Sequence, residues 1–326
     1  MTLDNYRDKF ARLLVNVRQG RASPHKICML LAVLDLARSG ALPENRIQFA
    51  PPLLARYSMF FNAVRGPADH QNAYFPYFHL AGKLRGGQDS FWHLRPLPGR
   101  ELVLEAMSTA RSIADITDNV AWVELDTALF DLMRRLEAID ALSEVLAVRW
   151  FDRGLQDLRG VVGRSGDISR YERQLRDGTK LMVNEASPPA YVRTPAFRRV
   201  VVEIYDYRCA ATGSRLLLGS GEAMVEAAHI HPFSEAGDDD PRNGLALTPN
   251  MHWAMDKNLI APGPDYLWHV SKAIDVRIAD YQPLLAIDGM ALLRPKDRRM
   301  WPKQDVLAWR LDRLRDSGWQ ADLSGL

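Results

Sequence analysis

The sequence predicts an α+β chain in two parts, a mostly helical N-terminal domain with a small sheet followed by a compact C-terminal domain of strand, loop and short helix. Three observations predict it. The chain has 326 residues, and at about 100–200 residues per domain that suggests two domains. Apolar residues recur at helical spacing through much of residues 1–150, give way to an Arg-rich, weakly periodic stretch, and a new pattern begins near residue 193. Finally, three of the eight histidines fall within residues 226–256.

Taken in order, residues 27–38 (ICMLLAVLDLAR) are too apolar for a surface helix. They read as a central core helix entered through Ser23-Pro24, a cap and first-turn proline. Helical spacing also marks residues 101–112, 124–136 and 140–151. Between them, residues 74–98 (YFPYFHLAGKLRGGQDSFWHLRPLP) are aromatic and apolar with a Gly-Gly turn, and read as a β-hairpin. Residues 152–192 are polar and read as an extended connector with one helix near 168–176, closed by Ser187-Pro188-Pro189. Domains are therefore expected at 1–155 and 193–326, with a connector at 156–192. In the second domain, residues 195–205 read as a helix and 208–213 as a tight turn. A strand at 224–230, a Gly/Asp-rich loop at 231–243 and a short helix at 250–258 follow, and residues 303–314 form one more amphipathic helix. Strand, loop and short helix make the ββα-metal finger arrangement.

Composition excludes several classes. Hydrophobic residues make up 47% and charged residues 25%, the balance of a globular protein with a real core. No apolar run approaches the roughly 20 residues that a bilayer span needs. The N-terminus, MTLDNYRDKF, carries acidic residues and no apolar core, so no export signal is read there and the cytoplasm is expected. Two distant cysteines, Cys28 and Cys209, exclude a disulfide framework and a CxxC zinc ribbon, and both read as buried packing residues. The net charge of +2 excludes a uniformly basic protein but not a basic face. Residues 152–199 hold ten Arg/Lys against six Asp/Glu, and RPKDRRMWPK at 294–303 is a second cluster. Either could lie along phosphates, or be an ordinary solvated surface.

The histidine cluster carries the chemistry. His229 sits in EAAHIHP at the end of an apolar strand; Asn243 follows fourteen residues later, His252 nine after that and Asp256 four after that. A histidine near its unperturbed pKa can take a proton from water, which makes His229 a candidate general base. Asn243 is placed to hold the strand and the imidazole by hydrogen bonds. His252 and Asp256 are i and i+4, so they share one side of a helix and can share one divalent cation. Such a cation stabilises a leaving oxyanion as a Lewis acid.

These residues, with YDYRCAATG before them and NGLALTPNMHWAMDKNLI after, resemble the HNH nucleases of bacterial restriction enzymes over about fifty residues. The resemblance implies that His229 is the general base, Asn243 the orienting residue, and His252 and Asp256 metal ligands for Mg²⁺ or Mn²⁺. Many HNH enzymes carry Asp or His immediately before the base, whereas this chain has Ala228. The third protein ligand is therefore open. His231, two residues along the strand, shares a face with His229; phosphate oxygens and waters are the alternative.

Residues 21–32 (RASPHKICMLLA), 74–80 (YFPYFHL) and 91–94 (FWHL), with LDNYRDKFARL at the start, resemble the sulfur-binding domain of phosphorothioate-dependent restriction endonucleases. The resemblance spans nearly the whole chain, reader first and HNH last. It implies a type IV restriction endonuclease that binds phosphorothioated double-stranded DNA through residues 1–155. A phosphorothioate carries a sulfur that is larger, softer and less hydrated than oxygen, so its pocket should be apolar with cations nearby. Phe75, Pro76 and Phe78, beside Tyr74, are the expected apolar wall; Arg21, His25, Lys26 and His79 are the expected donors. The family's aromatic–Pro step often has Tyr, and here it is Phe75.

Two other readings remain open on sequence. The reader could select a methylated or hydroxymethylated base, which usually needs base flipping. Alternatively, the chain could be a DNA-binding regulator whose HNH module, with Ala228, has lost activity. Cutting both strands with one site per chain implies a homodimer or two chains meeting on DNA.

Overall fold

The computed structural model describes residues 1–18, 20–151, 158–178 and 188–314. The chain divides into two compact units: Met1–Arg173 with Gly219–Glu222, and Gln174–Leu218 with Ala223–Leu326.

The first unit runs α1 (Leu3–Ala11), β1 (Val17–Arg18), β2 (Arg21–Ala22), α2 (His25–Arg38), α3 (Pro51–Val64), α4 (Tyr74–His79), β3 (Trp92–Pro96), α5 (Glu101–Ala106), α6 (Ile113–Thr117), β4 (Val120–Leu125), α7 (Thr127–Leu132), α8 (Leu136–Phe151) and α9 (Leu158–Asp177). It is mostly helical with two small two-stranded antiparallel sheets. The centre is α2, every residue of which from Ile27 to Arg38 is buried. It packs on α3, α4 and α8. Its helix begins without a side-chain cap; Ser23, expected to cap it, instead bonds the His25 ring.

Burying all of α2 also buries charge. Asp35, fully buried, accepts from Arg56 Nε at 3.1 Å and from Ser165 Oγ at 2.6 Å, while Arg56 Nη2 donates to Glu172 at 2.6 Å. Charges taken out of water persist only when paired in this way. Ser165, Ser169 and Glu172 belong to α9 and are buried, so this part of the expected connector is a long helix packed into the first unit's core. Residues 179–187 of that connector, including Ser187, lie outside the described residues.

Residues 74–98 do not form the expected hairpin. Tyr74–His79 is a helix, and Trp92–Pro96 pairs antiparallel with Val120–Leu125, in the register Trp92↔Leu125 and Leu94↔Val123. Pro76 sits in the first turn of α4, where a missing N–H leaves no intrahelical bond unmade. That turn buries Pro76, Tyr77 and Phe78 together. Burial thus decides over the β-propensity of aromatic residues. The helix expected at 124–136 likewise starts as strand, because Val123 and Leu125 are buried on β4, and only Thr127–Leu132 is helical. The helix expected at 101–112 stops at Ala106 and buries none of its residues.

The second unit contains α10 (Ala190–Ile204), β5 (Glu226–His229), α11 (Phe233–Ala236), β6 (Gly244–Leu247), α12 (Pro249–Asp256), β7 (Ile260–Pro262), β8 (Trp268–Val270), α13 (Gln282–Leu285) and α14 (Gln304–Leu311). β5 and β6 pair antiparallel, Ala228 opposite Leu245 and His229 opposite Gly244. α10, α12 and α14 close over this ribbon and β7, burying Phe197, Val201, Ala228, Leu245, Met251, Met255 and Leu307. Cys28 and Cys209 are both buried free thiols. Among the described residues, no helix is long and apolar enough to cross a membrane.

Candidate active site and binding cleft

β5 delivers two groups to the second unit's site. At its end, His229 lies parallel to Phe197 of α10, with ring centroids 3.9 Å apart and planes inclined by 1°. Gly244 makes this possible. A Cβ there would come within 2.6 Å of Val201 and 2.8 Å of Phe197, so only glycine opposite His229 lets α10 approach so closely. His229 Nε2 is 3.0 Å from Asp239 Oδ1, and the other carboxylate oxygen accepts from Arg193 at 2.8 Å. Burial pushes the Asp239 pKa up, but the hydrogen bonds from His229 and Arg193 outweigh it and hold the group below its ordinary value.

The other group is Glu226, at the start of β5. Its carboxylate lies 2.7 Å from His252 Nδ1. An ionised carboxylate only accepts, so Nδ1 carries the proton and Nε2 presents its lone pair. Nε2 faces Asp256, 3.4 Å away. Adjacent oxygen or nitrogen ligands in an octahedral shell with bonds of about 2.1 Å lie about 3.0 Å apart. His252 and Asp256 therefore fit as neighbouring ligands of one hard cation. Glu226 supplies the carboxylate that typically orients a ligating histidine. Among the described residues, no group of three His, Cys, Asp or Glu is placed to hold a metal ion.

Asn243 Oδ1 accepts from His231 N at 2.9 Å, and Nδ2 donates to the carbonyls of His231 (2.9 Å) and Asp238 (3.0 Å). It ties the start of the loop to its end. The three consecutive aspartates of that loop all have partners, and two of them share Lys303. Asp238 pairs with Lys303 at 3.0 Å, Asp239 with His229, and Asp240 with Arg242 and Lys303. Burial raises the Asp240 pKa, yet the Arg242 and Lys303 donors bring it down to about 2. Arg310, 3% exposed, closes the site from below. Its Nε donates to Ile230 O at 2.6 Å, and Nη1 reaches Met255 O at 3.4 Å and Asn258 at 3.3 Å. One guanidinium thus links the end of β5 to the end of α12. His231 stacks on Trp309 at 3.7 Å, with Glu235 3.8 Å from its Nε2, and is not brought to His252 and Asp256.

Sequence reasoning missed Glu226, Asp239, Arg193, Phe197 and Arg310. Asp239 carried a faint signal as the middle of an Asp run. The others are joined to the candidate site only through tertiary pairing.

In the first unit, a cleft of about 460 Å³ is lined by Arg21, Ser23, His25, Asp69, Asn72 and Phe75, among others. It gathers three of the eight expected pocket residues: Arg21, His25 and Phe75. Arg21 donates to Val64 O and fills the space beside Gly66, where a Cβ would fall 2.2 Å from its Nη1. Arg21 Nε and Asn72 Oδ1 are buried without a hydrogen-bond partner. His25 is a brace: its Nε2 donates to His70 O at 2.9 Å, its Nδ1 accepts from Ser23 Oγ at 2.8 Å, and burial lowers its pKa. Tyr74 is half-buried against the core, Phe78 is part of it, and Pro76 is buried. His79 bonds Thr109 at 2.9 Å and lies tilted against Phe75, ring centroids 4.2 Å apart. Lys26, whose pKa burial lowers, lies off the cleft.

Residues 209–261 match the HNH endonuclease family. No curated protein matches the chain. A solved structure, the modification-dependent TagI restriction endonuclease, is similar at 19% identity and a TM-score of 0.31. That match covers 45% of this chain and 45% of that one. With His229, Asn243, His252 and Asp256 on their strand, loop and helix, residues 209–261 are an HNH endonuclease domain, and the reaction it implies is phosphodiester hydrolysis.

Proposed function

We propose that the chain is a modification-dependent restriction endonuclease that reads phosphorothioated DNA with its first unit and cuts nearby with its second. The observation that carries the reading is the cleft in the first unit. The cationic side chain of Arg21 lines it, and its Nε is a buried donor with no hydrogen-bond partner in the protein; such donors are rare. Beside it stand the apolar residues Phe75, Ala22 and Pro67. A cationic donor next to an apolar wall suits a phosphate whose charge is intact but one of whose oxygens is a poorly hydrated sulfur.

In the second unit, His229 takes a proton from the attacking water, and the resulting hydroxide oxygen adds to phosphorus as the bond to the leaving sugar oxygen breaks. His252 and Asp256 would hold a divalent cation, Mg²⁺ or Mn²⁺, whose Lewis acidity stabilises the charge developing on phosphate. Glu226 fixes the His252 ring, and Arg310 fixes the two elements that carry the groups. With one such site per chain, double-strand cleavage requires two chains, as a homodimer or as two copies on one duplex.

The test uses matched normal, methylated and phosphorothioated duplexes, with and without Mg²⁺ or Mn²⁺. Tighter binding and metal-dependent cutting of the phosphorothioated duplex are expected. Equal binding to all three would sink the reader, preference for the methylated duplex would move it to a modified base, and no cutting with either metal would sink the nuclease.

A further inference from the structure

We propose that Asp239 is a positioning residue for His229: its buried carboxylate accepts a hydrogen bond from Nε2–H and leaves Nδ1 as the atom that deprotonates water. This rests on the reading of His229 as the general base.

The geometry leaves the ring little choice. Asp239 has a side chain 5% exposed, with one oxygen 3.0 Å from His229 Nε2 and the other 2.8 Å from Arg193. A carboxylate held by arginine stays ionised and can only accept, so Nε2 must donate. In the neutral imidazole the lone pair then sits on Nδ1, for which no hydrogen-bond partner is found among the described residues. Phe197 fixes the plane of the ring by parallel stacking, and Phe233 lies on it at an angle, 6.1 Å away. Arg193 is held in turn over Phe233, at 3.7 Å. The other charged group against this residue is Arg310, whose Nη2 reaches His229 O at 3.4 Å. The ring is anchored at Nε2, and its side chain is 24% exposed.

Asn243, expected to bond both the strand and the imidazole, bonds the backbone just beyond β5. All its side-chain bonds found among the described residues go to the backbone of His231 and Asp238. It shapes the loop that presents Asp239; Asp239 orients the ring. When water gives up its proton, the O–H bond breaks, the proton lands on Nδ1, and the positive ring is stabilised by the carboxylate at Nε2. Asp239 keeps its charge throughout and exchanges no proton.

Asp239→Asn separates this from simple packing. His229 and Arg193 both donate to the carboxylate, so an amide must turn its NH₂ toward one of them, and the ring can relieve the clash by moving its proton to Nδ1. With Mn²⁺ on supercoiled plasmid, phosphorothioated and unmodified, the single-turnover rate at pH 8 should fall on the order of 10²–10³-fold. DNA affinity should stay within about twofold, since Asp239 donates nothing to phosphate. The acid limb of the pH–rate profile should move to lower pH, because a nearby anion favours the protonated ring. Asp239→Glu, which keeps the charge, should return that limb toward the wild-type position. Independently of cutting, nitrogen-15 NMR of histidine-labelled wild-type protein should show the His229 Nε2–H tautomer and Asp239→Asn should lose it. An Nδ1–H tautomer in the wild type overturns the proposal. So does an Asp239→Asn protein with unchanged rate and acid limb while His229→Ala is inactive. Cutting by His229→Ala at the wild-type rate overturns the base reading itself, a separate failure.

Discussion

Each unit buries a carboxylate against an arginine, and the two pairs differ in what lies beyond them. In the first unit, Arg56 bridges Asp35 and Glu172, all three at most 1% exposed, and Ser165 caps Asp35 from the other side. In the second, Arg193 holds Asp239, itself only 5% exposed, but the next group is the His229 ring, 24% exposed. The first chain of bonds ends on Glu172 inside protein and runs from Asp35 through Arg38 to Asp140, so it joins helix to helix; the second ends at the imidazole of His229. A network of the first kind holds helices together. A network with one open end transmits a fixed orientation to a group that can act on something outside. The same chemical device is therefore structural in one unit and poised for chemistry in the other.

The comparison breaks most sharply at His229. Replacing it with alanine should lower the cleavage rate on the order of 10³-fold, as loss of a general base does. Gel-shift affinity for DNA should be unchanged; a parallel loss of binding would mean that the open end grips substrate rather than acting on it. In the first unit, Arg56→Ala removes the guanidinium shared by two buried carboxylates and should cost about 3–5 kcal/mol in urea unfolding. A cost near zero would show that solvent reaches Asp35 and Glu172. In the cleft, Arg21→Ala should weaken binding of a phosphorothioated duplex about 10- to 100-fold, the scale of a lost charge-assisted bond. If binding of normal DNA falls as much, Arg21 contacts phosphate without discriminating sulfur. Glu226→Gln should weaken Mn²⁺ binding about tenfold by calorimetry, because the amide fixes the His252 tautomer less firmly. The smallest effect concerns Asp240, whose pKa sits at about 2. A depressed carboxylate stabilises the folded state above its unfolded pKa near 4, and that contribution is lost as pH falls from about 4 to 2. Asp240→Asn should flatten this acid limb of second-unit stability in a pH series of thermal melts. An unchanged slope would show that the Arg242 and Lys303 contacts are not maintained in solution.

The second unit was the more legible of the two. Its strand, loop and short helix were readable because a spacing of fourteen, nine and four residues is a demand made by chemistry on chain length, and chain length is visible in sequence. The first unit's core helix was legible for a simpler reason: a helix buried on every side has no polar face. What failed there was the aromatic stretch at 74–98. Aromatic residues serve a strand and a short buried helix equally well, and only the partners decide. Trp92–Pro96 found its partner at Val120–Leu125 rather than next door, which left Tyr74–His79 to fold locally. Pro76 and Phe78, read as a pocket wall, are buried instead, and Phe75 alone of that segment lines the cleft.

By itself the sequence determined that there is a mostly helical part followed by an HNH module, and that His229, Asn243, His252 and Asp256 stand in it at the spacing such a module shows. It could do so because periodicity and motif spacing are properties of a chain read along its length. The tertiary structure decided which side chains complete those four. Asp239 and Glu226 hold the two histidines because β5, its loop and α12 fold onto one another. Arg310, fifty-four residues beyond Asp256, joins the ends of β5 and α12 through backbone carbonyls. Such bonds depend on where the backbone runs and hardly on which residues it carries, so no pattern of residue types could have announced them.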